Sequence, residues 1–323
     1  MNVTNASILV TGGTGSFGNR FVETLLEQHH PRRLVVFSRD ELKQSEMQQR
    51  RNHPSLRFFI GDVRDRDRLM RAMYDVDIVV HAAALKQIPA CEYNPFEAIQ
   101  TNVMGAKNVI EAAIDSGVKR VVALSTDKAV NPVNLYGATK LCAEKLFVQA
   151  NTYGMPRGTM FACVRYGNVI GSRGSVIPLF RAQQRDGILT VTDSKMTRFL
   201  ITLDQGVALV IRALEEMRGG EIFVPKLPSA RILDIADAVA PGCPIKCVGI
   251  RPGEKLHEVL ISEDEARQAV DLKDVYVIQP VMPKWNYRVR DDGSALPDGY
   301  SYTSETNDHF LTPAEISTLS EAQ

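Results

Sequence analysis

A doubly wound α/β fold, a parallel sheet with helices on both faces and a smaller C-terminal lobe, is predicted by three features of the sequence. Short β-branched apolar runs alternate with longer amphipathic ones through the first two-thirds of the chain. A glycine-rich turn follows the first run and opens the first helix. After Gly167 the alternation loosens, and beyond Pro225 the elements shorten and are broken by prolines.

Strands are expected at 8–11, 34–37, 56–60, 78–81, 121–125 and 161–164. They are mostly continuous in apolar character, as strands buried on both faces are. Helical spacing marks 17–28, 69–73, 102–116 and 139–152. Another helix is expected at 203–217, where Thr202 and Gln205 have capping-box spacing, followed by a strand at 221–224. On this pattern residues 1–167, with 202–226 returning to them, form a dinucleotide-binding domain. Residues 168–201 and 227–323 form a substrate-binding lobe. The tail after Lys284 is polar and turn-rich.

Lys plus Arg number 38 and Asp plus Glu number 38, so the basic excess of a nucleic-acid binder is missing. Residues 1–7 are polar and uncharged, and the apolar run at 8–10 is too short for a signal-peptide core. With no long apolar segment either, the expectation is no membrane partner and a cytoplasmic location. Cys243 and Cys247 form a single C-x3-C pair with no second pair of ligands, so ordinary thiols are expected rather than a metal site.

The turn reads Gly12-Gly13-Thr14-Gly15-Ser16-Phe17-Gly18, and Gly13, Gly15 and Gly18 satisfy G-x-G-x-x-G. In this strand–turn–helix setting the glycines allow tight turning, close approach of a pyrophosphate and close helix–strand packing. The helix N-terminus then offers N–H groups to the phosphates. A Rossmann-type dinucleotide site is therefore expected. The second strand ends in Ser38-Arg39, which favours the 2′-phosphate of NADP, and Lys43 follows nearby. Asp40, one step later, keeps NAD open. Asp62-Val63 is placed to meet the adenine, with helix capping as the alternative for Asp62. Ala82, Ala83 and Ala84 after the fourth strand should border the cofactor, and Lys86 either meets the ligand or is solvated.

The fifth strand runs into Thr126-Asp127-Lys128, and Tyr136 and Lys140 follow as Y-x-x-x-K. That spacing puts both side chains on one helical face, where an ammonium would favour the phenolate and lower the tyrosine pKa. A simple dehydrogenase or 4-epimerase needs the tyrosine and lysine alone. Asp127 and Lys128 add a second acid/base pair at a strand's C-terminal end, where open α/β sheets carry their sites.

At these residues the chain resembles the extended short-chain dehydrogenase/reductase family over about residues 6–260. It is most similar to the inverting UDP-N-acetylglucosamine 4,6-dehydratases of the pseudaminic acid pathway. The residues that carry this are TGGTGSFG at 11–18, SRDELKQSEM at 38–47, STDKA at 125–129, YGATK at 136–140, RYGNV at 165–169 and RPGEKLHE at 251–258. The resemblance implies that Tyr136 takes the sugar O4 proton while hydride leaves C4, that Thr126 holds O4, and that Lys140 supports Tyr136 and the nicotinamide ribose. Lys128 would then remove the C5 proton, and Asp127 would protonate the departing C6 hydroxyl. Hydride returns to C6, and C5 is inverted. The related retaining enzymes carry Asp-Glu where this chain has Asp127-Lys128.

It also implies sugar-nucleotide contacts from Asn168, Arg173, Thr197, Arg198, Arg251 and Glu254, the arginines suiting a diphosphate. Asn102 suits a helix cap as well as a site, and His257 suits packing better than catalysis. A UDP-sugar substrate and a homo-oligomer are expected. The competing readings are a UDP-sugar 4-epimerase, a 4,6-dehydratase/5-epimerase, and an NADP-sensing regulatory protein on the same scaffold.

Overall fold

The computed structural model describes residues 3–172, 174–280 and 289–321. Six strands, β1 (Ser7–Thr11), β2 (Arg33–Ser38), β3 (Leu56–Ile60), β4 (Ile78–His81), β5 (Arg120–Thr126) and β6 (Met160–Tyr166), form the parallel core. The lobe and the return to the sheet add β7 (Asn168–Val169), β8 (Leu189–Val191), β9 (Thr197–Ile201), β10 (Ile222–Pro225), β11 (Ser229–Arg231), β12 (Ile245–Cys247) and β13 (Val259–Ile261). The chain ends with β14 (Ala269–Asp271), β15 (Val275–Ile278), β16 (Ser294–Ala295) and β17 (Tyr302–Thr303).

The main sheet has ten strands in the order β16-β14-β15-β10-β6-β5-β4-β1-β2-β3. From β3 to β10 every pairing is parallel, and the order reverses around β1, between β2 and β4. Such a switch point opens a crevice beyond the strand ends, which is where ligands bind in open α/β sheets. Leu9, Val36, Val79, Val122 and Phe161 lie fully buried in this layer, as the continuous apolar runs require.

Among the described residues, eight α-helices precede β6: α1 (Ser16–Thr24), α2 (Glu41–Arg50), α3 (Arg66–Ala72), α4 (Ile88–Tyr93), α5 (Pro95–Ile99), α6 (Gly105–Asp115), α7 (Leu135–Gln149) and the one-turn α8 (Asn151–Gly154). The helix Leu203–Glu216 starts with the expected capping box, Thr202 and Gln205 each accepting from the other's backbone N–H. Helix α2 is an addition to the sequence reading. It buries only Gln44 and Met47, so its apolar signal is weak, and Asp40 caps it by accepting from the Lys43 N–H at 3.0 Å. Helix α7 begins four residues before the expected start, with the Asn134 side chain accepting from the Gly137 N–H at 2.7 Å. Tyr136 and Lys140 therefore stand within its first two turns.

The lobe has its own apolar core, built from Ile177, Phe180, Leu189, Val191, Leu200, Ile235 and Ile316. One part of the expected division changes. Strands β14, β15 and β16, placed in the lobe by the sequence pattern, instead extend the main sheet, with β15 antiparallel to β10. Val275, Val277 and Ile278 are buried there, and this apolar burial draws the segment onto the sheet edge. No described helix is long and apolar enough to cross a membrane.

Candidate active site

A cavity of about 630 Å³ opens at the switch point, between the glycine turn, the ends of β2, β4 and β5, the start of α7 and the first residues of the lobe. Gly12 has φ +66°, and a Cβ there would lie 2.9 Å from the Ala83 backbone nitrogen. A Cβ on Gly18 would lie 2.4 Å from the Gly13 carbonyl oxygen. Side chains are thus excluded where the turn packs on β4 and where α1 packs on the turn. Gly15 is the N-cap of α1, and no side chain caps that end. The first-turn N–H groups and the helix dipole suit a pyrophosphate, so this cradle fits a dinucleotide. Thr14, Ser16, Phe17, Val63, Ala82, Ala83 and Ala84 line the same cavity, and Gly13 lies beneath it against Val36.

At the end of β2 the Ser38 hydroxyl accepts from Gln44 Nε2 at 2.9 Å. Arg39 lies 3.6 Å from Asp62, and Lys43 pairs with Asp40. Arg39, expected to read a 2′-phosphate, and Lys43 nearby therefore both face carboxylates of the protein. Asp62 does not cap α3, since Asp65 does so. Partial burial would raise the Asp62 carboxyl, but hydrogen bonds from Arg64 hold it below its ordinary value.

The chemical end is a buried ionic cluster. The Asp127 carboxylate is fully buried; its Oδ1 accepts from Thr126 Oγ1 at 2.8 Å and from Lys128 Nζ at 3.1 Å. Lys128 Nζ also lies 3.3 Å from Glu258 Oε1 and 3.4 Å from Asn168 Oδ1. Burial alone would lower the Lys128 ammonium, yet Asp127 and Glu258 outweigh it and hold it well above its usual range. Burial raises the Asp127 carboxyl, with Lys128 opposing and Glu258 adding to the rise.

Tyr136 lines the cavity and is 9% exposed. Its phenol is pushed up to about 12 by burial, partly offset by the charge of Lys128. This corrects the expectation that the Lys140 ammonium would lower it. Lys140 Nζ instead donates to the Leu124 carbonyl at 2.7 Å, and burial lowers its ammonium. His81 is buried against Thr11 at 2.8 Å and is pushed down to about 3 by burial and by Lys140, so the ring is neutral.

Of the expected sugar-nucleotide residues, Lys86 and Asn168 line the cavity. Thr197 and Arg198 do not. The Thr197 hydroxyl lies 2.8 Å from His257 Nδ1 and 2.7 Å from Ser304 Oγ. Arg198 donates to the Thr197, Leu256 and Lys255 carbonyls. Both side chains are committed to fastening β9 to the segment before β13. Arg251 is exposed and lies 3.9 Å from Glu254, on a loop whose Gly253 carbonyl accepts from Asn134 at the start of α7. Arg173 lies outside the described residues. Asn102 is a pin rather than a helix cap, bonded to both backbone groups of Leu85 and to Thr139. Sequence reading gave no role to Glu258 or to Tyr166, whose buried phenol lines the cavity. Glu258 does carry a signal, as an acid placed directly before the apolar run Val259-Leu260-Ile261.

The family described as polysaccharide biosynthesis protein matches residues 8–280. The chain belongs to that family, within the extended short-chain dehydrogenase/reductase superfamily. Among its relatives, the UDP-N-acetylglucosamine 4,6-dehydratase (inverting) of Campylobacter jejuni subsp. jejuni is 50% identical over 319 residues, 96% of each chain. A UDP-glucose 4-epimerase of Rickettsia conorii is 46% identical over 280 residues, 84% of this chain and 82% of that one. The solved structure of Pen from Bacillus thuringiensis covers 100% of both chains at 38% identity, with a TM-score of 0.90. DesIV, the dTDP-glucose 4,6-dehydratase of Streptomyces venezuelae with NAD and TYD bound, is 25% identical with a TM-score of 0.70, covering 77% of this chain and 86% of that one.

The expectation of NADP is corrected by this last structure, in which a dehydratase of the superfamily holds NAD. The physical reason lies at the end of β2 in this chain. Arg39 has a carboxylate partner in Asp62 and Lys43 one in Asp40, so both cations are already partnered within the protein where a 2′-phosphate would need them.

Proposed function

We propose that this chain converts UDP-N-acetylglucosamine to a 4-keto-6-deoxy sugar nucleotide with inversion at C5, in the cytoplasm and as a homo-oligomer. The observation that carries the reading is the Asp127–Lys128 ion pair, 3.1 Å long, whose lysine lines the same cavity as Tyr136 while the carboxylate lies buried behind it. When bound, NAD would supply the site that takes hydride from C4 and returns it to C6. The glycine turn and α1 would hold its pyrophosphate, with Ala82–Ala84, Asp62 and Val63 along its nucleoside parts.

Tyr136 takes the O4 proton, and Lys140 fixes the helix face on which it stands. Thr126, whose hydroxyl donates to Asp127, couples the first proton transfer to the second. With a ketone at C4, the C5 proton becomes acidic. Lys128 removes it, and Asp127 gives a proton to the departing C6 hydroxyl. Asn168 and Lys86 face the sugar, and Arg251 with Glu254 borders the diphosphate from the loop held at α7. Residues 168–201 and 227–268, with β17 and the C-terminal helix Pro313–Glu321 packed on them, act as the substrate-binding lobe. Tyr93 and Phe96, 87% and 80% exposed on consecutive helices, form the apolar surface that a second copy would cover.

The test is incubation with UDP-N-acetylglucosamine carrying deuterium at C4. The expected product is lighter by one water, carries the label at C6 and has inverted C5. The Rickettsia relative favours a second reading, 4-epimerisation. In that case the product keeps the substrate's mass, and the dehydratase reading fails.

A further inference from the structure

We infer that Glu258 is a positioning residue that holds one proton inside the Asp127–Lys128 pair, where the elimination step needs it. The inference rests on the dehydratase reading. It starts from an imbalance in the buried cluster. Glu258 is 2% exposed, and its Oε1 lies 3.3 Å from Lys128 Nζ. Its backbone N–H donates to Ser304 Oγ at 2.9 Å, which fixes the approach of β13 to the end of β5. Arg198 Nε lies 3.9 Å and Lys255 Nζ 4.0 Å from its carboxylate. Asp127 Oδ2 and Glu258 Oε2 are both buried without a hydrogen-bond partner. A purely structural cluster would have satisfied these oxygens, because a buried polar atom left unpaired is costly.

Elimination requires a neutral amine at Lys128 and a protonated carboxyl at Asp127 at the same moment. A pair that holds a single shared proton meets both needs. Moving that proton along the 3.1 Å hydrogen bond converts ammonium and carboxylate into amine and carboxylic acid. Lys128 then takes the C5 proton, the C5–C6 double bond forms and the C6–O bond breaks. The Asp127 proton leaves with the hydroxyl as water. The pair ends as ammonium and carboxylate, so protons and charge balance.

Lys128 is surrounded by Asp127, Glu258, Arg198, Lys255, Lys86 and Tyr136. Without the Glu258 charge, the three cations Lys128, Arg198 and Lys255 would share one carboxylate. The pair would then lose its proton to solvent at lower pH, since a negative neighbour raises the pKa of both an acid and an amine. Positive charges in the surroundings lower both. Glu258 therefore opposes Arg198 and Lys255 and keeps the proton in place.

The experiment compares wild type, Glu258→Gln and Glu258→Asp, with UDP-N-acetylglucosamine as the probe. It follows product formation, KM, and transient reduced-nicotinamide absorbance across pH. Glu258→Gln should dehydrate about 10–100-fold more slowly, within or below the contribution of a general acid–base group, at nearly unchanged KM. Reduced cofactor should accumulate, because the Tyr136 step is intact while elimination lags. The alkaline limb of kcat should move to lower pH. Glu258→Asp keeps the charge, so its limb should stay at the wild-type position even if kcat falls.

Equal loss of cofactor reduction and dehydration in Glu258→Gln, or an unmoved alkaline limb, would overturn the inference. A limb displaced in Glu258→Asp would do the same, and that variant decides the matter if the glutamine form does not fold. Wild type that releases no dehydrated product would overturn the dehydratase reading and this inference with it. Wild-type dehydration with a Glu258→Gln variant indistinguishable from it would overturn this inference alone.

Discussion

Two buried ionic clusters lie near the neighbouring strands β5, β6 and β13, and they are built differently. Arg165 on β6 is fully buried and uses all five of its N–H groups: on Glu144 at 3.1 and 2.5 Å, on Glu265 at 2.9 and 2.8 Å, and on the Leu260 carbonyl at 2.8 Å. It ties the sheet, α7 and the segment after β13 into one unit, and nothing in it is left to react. The cluster of Asp127, Lys128 and Glu258 leaves two carboxylate oxygens without partners and meets the cavity through Lys128. A planar guanidinium suits closure because it stays charged and donates in a fixed fork. An ammonium suits the open cluster because it can give up its proton.

Three measurements sharpen this contrast. Lys128→Ala should lose dehydration by about 10²–10⁴-fold, the range of general acid–base assistance, while still binding dinucleotide and substrate. Its stability should fall less than that of an Arg165 variant, because Asp127 can neutralise itself by taking up a proton. Near-normal turnover by Lys128→Ala would erase the distinction between the clusters. Arg165→Met should destabilise the fold by about 3–5 kcal/mol, the cost of breaking a buried ion pair from one side, as read by urea unfolding. A loss below 1 kcal/mol would show the closed cluster to be dispensable.

The smallest effect concerns acid. Burial would raise the Glu265 carboxyl, but hydrogen bonds from Arg165 hold it below its ordinary value. A depressed folded-state pKa contributes stability that is fully present above the unfolded value of about 4.3 and is lost as pH falls through the folded one. Glu265→Gln should therefore flatten the acid side of the stability profile, measured by thermal unfolding between about pH 3 and 7. An unchanged acid slope would assign that loss to other carboxylates.

The parallel core was legible because strands buried on both faces write themselves as apolar runs, and β1, β2, β4, β5 and β6 do so, while the edge strand β3 is only partly buried. The glycine turn and the Tyr136–Lys140 spacing are local signals, and both lie at the cavity. What escaped depends on contacts between distant segments. Glu258 meets Lys128 only when β13 closes on the end of β5. Thr197 and Arg198 resembled ligand contacts, but their side chains are taken up by Ser304, His257 and the backbone near Leu256. Helix α2 escaped because a helix that buries two residues leaves almost no period to read. The choice between NAD and NADP turned on whether Arg39 and Lys43 already had partners, which their order in the chain does not reveal.

The antiparallel strand β15 covers the free side of β10, residue for residue from Ile222 to Pro225. That side of β10 would otherwise present Phe223 and Val224, both fully buried, along an open row of backbone donors and acceptors. The C-terminal segment thus acts as a sealing strip against self-association. A chain cut before Ala269 would keep the glycine turn, Tyr136 and the Asp127–Lys128 pair, but it would expose an adhesive strand edge and would lose the Ser304 and Ile316 contacts that hold Glu258 and the lobe core, so solubility and chemistry would fail together.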